Sequence, residues 1–369
     1  MKIGIDISIV SYGRGVANYI IKLLENFLLL SPENKYKLFF NSFKSYSVPF
    51  DFKKLRIVRT RIPQRILKFM WLDLGFPKIE SFLGVIDLFH SPAHSPVYAI
   101  CPPVNNWVVT VHDLFTFKLN YAKKTQREEW KILMRMARKA AHVIAVSEST
   151  RRDLLELIPS LESRVSVIHE GVDEIFQNVP NHHLVLNKYN INTPYILYVG
   201  SAGPNKNLPT LIEAFSQINQ LTNHNLVLVG DLAWRYKPLM ETVQKKRLEK
   251  RVQFTGLVPN EDLPAIYSGA DVFVCPSLYE GFGLTVLEAM ACGTPVVASN
   301  ISSIPEIVND SAILFDPYSV DDLNHSLLQI IGSEILRDEL RAKGSQRVKE
   351  FSWARAAKQT LELYKNLVN

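Results

Sequence analysis

Apolar residues alternate along the chain between two textures, short β-branched or aromatic runs and longer stretches with helical spacing. The short runs lie at 2–6, 37–40, 56–59, 87–90, 107–112, 142–146 and 165–169, then at 195–199, 225–229, 252–255, 272–275, 295–298 and 312–315. Several are continuously apolar, the pattern of strands covered on both faces of a parallel sheet. Helical spacing fills stretches between them, as at 18–30, 208–219, 285–292 and 321–331. Strand–helix alternation run twice predicts two doubly wound α/β domains. Periodicity stops over the polar segment 177–193 and restarts at Tyr195, so that segment is the expected linker, with domains at 1–183 and 184–350. A last helix follows Phe351, with Ser352 as its N-cap.

Composition agrees with this picture. The 369 residues are 47% hydrophobic and 21% charged, which excludes a disordered, collagenous or coiled-coil chain, and the length suits two domains. Three cysteines, Cys101, Cys275 and Cys292, make no disulfide framework and no metal-ligand spacing, so a reducing cytoplasm is expected. The chain opens on the strand-like MKIGIDISIV, with no signal peptide expected before it, and no run of ~18 apolar residues would span a membrane.

The most informative stretch for chemistry is YEGFGLTVLEAMACGTPVVAS, residues 279–299. Cys275 closes a strand, Pro276 and Ser277 break it, and Gly281, Phe282 and Gly283 turn the chain into a helix. Such a turn aims backbone N–H groups above the sheet edge, where the helix dipole favours an anion. Glu280 lies in the turn and Glu288 two helical turns further on. A carboxylate beside an anion is unfavourable unless it accepts hydrogen bonds, as from sugar hydroxyls. Glu288 taken alone would equally suit an exposed helix position.

In YVGSAGPNKNL, residues 198–208, a strand ends at Gly200 and Lys206 stands just before the next helix. A lysine there suits a diphosphate, as a point charge on a flexible stem, or else merely caps the loop. In VVTVHDLFTF, residues 108–117, His112 and Asp113 close a buried strand at the end where α/β sheets place ligands. A lone histidine there is more often structural, and Asp113 suits local backbone orientation. The loop SYGRGVANYI, residues 11–20, uses Gly13 and Gly15 for close backbone approach. A dinucleotide fingerprint would need glycine where Asn18 stands, which disfavours a dehydrogenase. AVSEST at 145–150 offers Ser147 or Ser149 as a helix cap, and EGVD at 170–173 ends the first domain.

EGFGL, EAMACGTPVV and the later Ile304, Pro305 and Glu306 resemble the Glu-x7-Glu signature of the retaining family 4 glycosyltransferases of the GT-B fold. Other segments agree with that family from Gly4 to Val368. The resemblance implies an α/β fold of two Rossmann-like domains with parallel sheets facing across a cleft. The second domain would bind a nucleotide-activated sugar and the first the acceptor, with the helix at 351–369 packing back on the first. It implies donor contacts from Gly200, Lys206, Gly281, Phe282, Gly283, Leu284, Thr285 and Glu288, with Lys206 on the phosphates and Glu288 on ribose hydroxyls. Glu280 would contact the sugar ring and His112 would face the transferred sugar. FTGLVP at 254–259, including Val258, would hold the base through main-chain groups, and Gly15 would lie near the acceptor or pyrophosphate.

Many relatives carry arginine where this chain has Ser201, which leaves open a non-catalytic nucleotide-sugar-binding subunit. With a lysine and loop dipoles for the phosphates and no carboxylate cluster, no bound metal or other cofactor is expected beyond the nucleotide-sugar co-substrate. FHSP at 89–92 is similar to mannosyl-type members, which favours GDP-mannose over a UDP-sugar. The setting implied is bacterial surface polysaccharide assembly on a glycan or lipid-linked acceptor.

Net charge sharpens one point. The overall +6 is uneven: residues 1–183 hold 25 Lys/Arg against 17 Asp/Glu, whereas 184–369 hold 17 against 19. Residues 48–81 alone carry Lys53, Lys54, Arg56, Arg59, Arg61, Arg65, Lys68 and Lys78, beside Ile66, Leu67, Phe69, Met70, Trp71 and Leu72. Basic residues interleaved with apolar ones fit a segment lying on anionic lipid at the inner face of the cell membrane, or a solvated helix face. The basic excess is modest and no recognition motif occurs, so nucleic acid is not an expected partner.

Overall fold

The structure is a computed structural model that describes residues 1–12, 15–43, 55–93, 104–119, 123–231 and 236–368. Gly13, Lys53, Lys54 and Cys101 lie outside the described residues. The chain divides into two compact units, one of residues 1–171 with 353–369 and the other of residues 172–352.

In the first unit the strands are β1 (Lys2–Asp6), β2 (Lys35–Asn41), β3 (Arg56–Thr60), β4 (Leu88–Ser91), β5 (Trp107–Val111), β6 (His142–Ala145) and β7 (Val165–Val167). They form one parallel sheet in the order β3-β2-β1-β4-β5-β6-β7. Every residue of β5, an inner strand, is buried, as its nearly continuous apolar run requires. At the edge, β3 turns Arg56 and Arg59 outward, and charge on an edge discourages further pairing. The second unit contains β8 (Tyr195–Val199), β9 (Asn225–Val229), β10 (Val252–Gly256), β11 (Val272–Cys275), β12 (Val296–Ser299) and β13 (Ile313–Phe315), parallel in the order β10-β9-β8-β11-β12-β13. Each sheet reverses direction of growth beside its first strand, at β1/β4 and at β8/β11. At such a switch point the loops leaving the strand ends part and open a crevice for ligands.

The helices that matter below are α1 (Gly15–Leu30), α2 (Lys123–Lys139), α3 (Glu148–Leu157), α4 (His183–Lys188), α5 (Leu208–Ile218), α6 (Leu284–Ala291), α7 (Ile304–Val308) and α8 (Trp353–Val368). Ile20, Leu23, Leu24 and Phe27 of α1 bury one face at helical spacing. That helix packs on α8 through Phe27 against Tyr364 and Tyr19 against Trp353, so the last helix completes the core of the first unit. Of the two candidate caps before α3, Ser147 serves: its Oγ accepts from the Thr150 N–H at 3.0 Å.

Two expectations need correction. The units part at Gly171/Val172, not after residue 183, because Phe176 is already buried in the second core and Val172 bridges Ser352. The segment 177–193 is no free linker either: it contains α4, and Leu186 and Ile191 are buried in that same core. The apolar residues of the basic stretch are divided between core and surface. Leu67 and Trp71 are buried inside the first unit, whereas Ile66, Phe69, Leu74 and Phe76 are exposed. Among the described residues no helix is long and apolar enough to cross a membrane.

Candidate active site

At the switch point of the second sheet, the loops leaving β8 and β11 meet. The Leu278 N–H donates to the Asn205 carbonyl at 2.7 Å, and Asn205 Nδ2 donates to the Tyr279 carbonyl at 3.1 Å. This stitching brings Lys206 and Glu280 together: Lys206 Nζ lies 2.6 Å from Glu280 Oε1, which also accepts from Ser277 Oγ at 2.6 Å. The side chains are only 22% and 13% exposed, so solvent screens the pair weakly compared with a surface ion pair.

From the far side, the chain after β12 braces the glycine-rich turn. Ser302 Oγ accepts from the Glu280 N–H at 2.9 Å, and the buried Ser303 Oγ donates to the carbonyls of Glu280 and Phe282 at 3.0 and 2.8 Å. Ser302 has φ +54°, a left-handed conformation that costs a non-glycine residue ~1 kcal/mol and is held by this bracing. Gly283 has φ +116° and stands at the start of α6, and a Cβ there would press on Ile304 Cδ1 at 3.0 Å. No side chain caps α6 at Gly283, whose carbonyl accepts from the Val286 N–H at 3.0 Å, so the amides of Leu284 and Thr285 are the ones a helix start can turn to an anion. Phe282 is buried, whereas Gly281, Leu284 and Thr285 keep part of their surface in solvent. A lysine ammonium, a helix start and a carboxylate on adjoining loops are what a sugar diphosphate can use.

Gly200 follows β8 and its N–H donates to the Val229 carbonyl, so this loop springs directly from the sheet. Glu288 projects from α6 and accepts from Tyr267 Oη at 2.9 Å. Burial, opposed by that bond and reinforced by the charge of Asp173, pushes its carboxyl up to about 7, so it is half-protonated near neutrality. Val258 follows β10 and packs partly on the core of the second unit.

His112 stands just after β5 in the first unit. Its Nδ1 lies 2.8 Å from Glu170 Oε1 and its Nε2 lies 2.8 Å from the Pro92 carbonyl, while Tyr19 of α1 meets the ring edge-on at 4.8 Å. Burial lowers the ring's affinity for a proton, but the hydrogen bond and charge of Glu170 and the Pro92 carbonyl outweigh it, and the pKa is raised. His90, in the FHSP stretch, is internal: Nε2 meets Thr110 Oγ1 at 2.8 Å and Nδ1 meets Tyr364 Oη at 2.6 Å. Burial, helped by the nearby His112, lowers its pKa to about 3, so it stays neutral. Gly15 opens α1, and a Cβ there would meet nothing within 4 Å.

Sequence reasoning passed over Asn205, Ser302, Ser303 and Glu170. The serines precede the recognised Ile304, Pro305 and Glu306, but nothing local shows that they reach a turn 21 to 23 positions earlier. For Glu170, the EGVD stretch was visible, but nothing local shows that its glutamate is buried against a ring 58 positions earlier.

Comparison with known proteins agrees with this geometry. Residues 186–347 match the family model described as glycosyl transferases group 1, and residues 36–175 match that of glycosyltransferase family 4. O-antigen chain mannosyltransferase B of Escherichia coli is 34% identical over 281 residues, covering 74% of this chain and 74% of that protein. Serotype-specific mannosyltransferase WbdA of Escherichia coli is 29% identical over 309 residues, covering 77% of this chain but only 36% of that longer protein. Among solved structures, sucrose-phosphate synthase from Thermosynechococcus elongatus superposes with a TM-score of 0.79 at 25% identity, covering 100% of this chain and 99% of that one. Anabaena HepE in complex with UDP and glucose gives 0.80 at 18% identity, covering 99% of this chain and 100% of that one. Motifs, topology and relatives converge: the chain belongs to the group 1, family 4 glycosyltransferases of the GT-B fold.

Proposed function

We propose that this glycosyltransferase moves a hexose from a nucleoside diphosphate sugar, GDP-mannose in preference to a UDP-sugar, to a glycan or lipid-linked acceptor in surface polysaccharide assembly. The observation that carries the reading is the Lys206–Glu280 pair on the two loops flanking the second switch point. As the sugar–phosphate bond breaks, negative charge grows on the leaving diphosphate. Lys206 and the amides of Gly281, Phe282, Gly283 and Leu284 supply the compensating dipoles and charge. The family resemblance assigns Glu280 to the sugar, Glu288 and Thr285 to the nucleotide side of the donor, and His112 to the transferred sugar. The two named mannosyltransferases support mannose, and the first supports an O-antigen-like product. Retention of anomeric configuration follows from the Glu-x7-Glu resemblance, and the anomeric coupling in the NMR spectrum of the product tests it.

The decisive assay offers a panel of nucleotide sugars with and without cell lipid extract and measures free GDP and UDP. Release with one donor that rises with the extract is expected. Nucleotide binding without release from any donor would instead make the chain a non-catalytic binding subunit.

Glu288 gives this donor site a pH signature. Its ionised form accepts from ribose hydroxyls, so affinity is lost as pH falls through about 7. GDP-mannose or UDP-glucose should bind ~10-fold more weakly at pH 6 than at pH 8. In Glu288→Gln the profile should be flat; a pH-independent wild type removes Glu288 from the ribose.

Membrane contact belongs to the same reading. Exposed Ile66, Phe69, Leu74 and Phe76 lie among the exposed Arg61, Arg65 and Lys78, an arrangement suited to an anionic lipid surface. Lys68 is less suitable as a probe, since Glu128 of α2 lies 3.7 Å from it. At low salt the protein should sediment with phosphatidylglycerol-containing vesicles, and Arg61→Glu with Arg65→Glu should abolish most of this. Indifference of the wild type to such vesicles refutes the contact.

A further inference from the structure

His112 has two ring nitrogens, and both of their partners can only accept: the Glu170 carboxylate at 2.8 Å and the Pro92 carbonyl at 2.8 Å. A neutral imidazole carries one N–H and would satisfy one of these acceptors while turning a lone pair on the other. Only the doubly protonated ring donates to both. Both partners are well sheltered, with Glu170 4% exposed. Inside a protein an acceptor facing a lone pair costs much more than it does in water.

The surroundings agree with a fixed positive ring. Glu170, following β7, bears the opposite charge, and Asp113, next in the chain, adds a second carboxylate to the local field. From α1 comes the uncharged edge of Tyr19, whose hydroxyl lies 3.0 Å from Thr110 Oγ1. From β4 comes His90, both of whose nitrogens are occupied by hydroxyl groups, so it can remain neutral beside its charged neighbour.

We propose that Glu170 is a positioning residue that holds His112 as a doubly hydrogen-bonded imidazolium, fixing the ring for sugar transfer and removing it from proton transfer. The inference rests on the reading that sets His112 beside the transferred sugar. A ring in this state has no lone pair with which to take the acceptor's proton, so His112 is not the general base. Its contribution is a cation at a fixed place and angle, kept there by one carboxylate, one carbonyl and an aromatic edge.

The test begins with the wild-type protein labelled with ¹⁵N-histidine, with the His112 resonances identified by their loss in His112→Asn. Two protonated nitrogens, unchanged between pH 6 and 8, are expected; one protonated nitrogen at pH 7 overturns the proposal without any need of a variant. Glu170→Gln preserves size and lets the amide donate to Nδ1 while Nε2–H donates to Pro92, so a neutral ring is then fully satisfied. In that variant His112 should titrate at or below its ordinary value of ~6.5, and relative to wild type kcat/KM should fall ~30-fold between pH 6 and pH 8. A Glu170→Gln profile that superimposes on the wild type at pH 8 overturns the positioning role. That outcome leaves the donor-site reading standing, since nucleotide binding through Lys206 is measured separately.

Discussion

Replacing Lys206 with alanine is expected to lower kcat/KM for sugar transfer by ~10- to 150-fold, the equivalent of one charge-assisted contact of ~1.5–3 kcal/mol felt in the transition state. Lys206 lies 2.6 Å from Glu280, so the two residues are coupled, yet their substitutions should differ in sign for binding. Lys206→Ala removes the cation and leaves a carboxylate beside the diphosphate, so GDP and UDP should bind more weakly. Glu280→Gln removes that carboxylate and should bind the bare nucleotides at least as tightly as wild type, while transfer slows at least ~10-fold. Calorimetric titration with GDP and UDP, set beside initial rates for the same variants, separates the two effects. Near-wild-type turnover in both variants would sink the donor-site assignment.

Gly230→Ala should do still more damage, although Gly230 carries no chemistry. It follows β9 with φ +132°, and a Cβ there would lie 2.1 Å from the Gly200 carbonyl oxygen. The obstruction is backbone, not the tip of a flexible side chain, so the ends of β8 and β9 must separate. The Gly200 N–H to Val229 carbonyl bond and the Ala202 N–H to Asp231 carbonyl bond span that same gap. We expect a loss of ~3–5 kcal/mol and a fall in Tm of roughly 10 °C, with donor binding lost as the Lys206 loop shifts. Gly15→Ala, which meets open space, is the control and should melt like the wild type. Calorimetry of the two variants decides between them, and a Gly230→Ala protein that melts as wild type would refute the clash.

The thirteen strands of the described residues were legible in the sequence because most are local runs of β-branched or aromatic residues, which strands covered on both faces of a parallel sheet require. The domain border was not. Residues 177–193 look like linker by periodicity, yet Leu186 and Ile191, like Phe176 just before them, are buried by neighbours distant in sequence, and only the assembled core shows this. Nor was the division of the basic stretch legible: Leu67 and Trp71 are four apart and turn inward together, while Ile66 and Phe69 turn outward, a division that composition averages away. In the candidate site the sequence pointed separately to Lys206 and Glu280. Their pairing depends on the strand order β8-β11, which places together two loops 74 positions apart. Ser303 and Glu170 act by bracing other groups, and a bracing residue has no local signature of its own.

The return of α8 to the first unit bears on the order in which the protein can be made. Residues 172–352 form one continuous unit and can close their core once they have emerged from the ribosome. The first unit, although synthesised earlier, still lacks Trp353, Leu361 and Tyr364, which are buried against it. Until they arrive, Phe27 on α1 has no Tyr364 to meet and the His90 ring lacks its hydroxyl partner. Of the two units, the one whose synthesis starts earlier is therefore completed later, and its unfinished apolar face stays open throughout translation of the other.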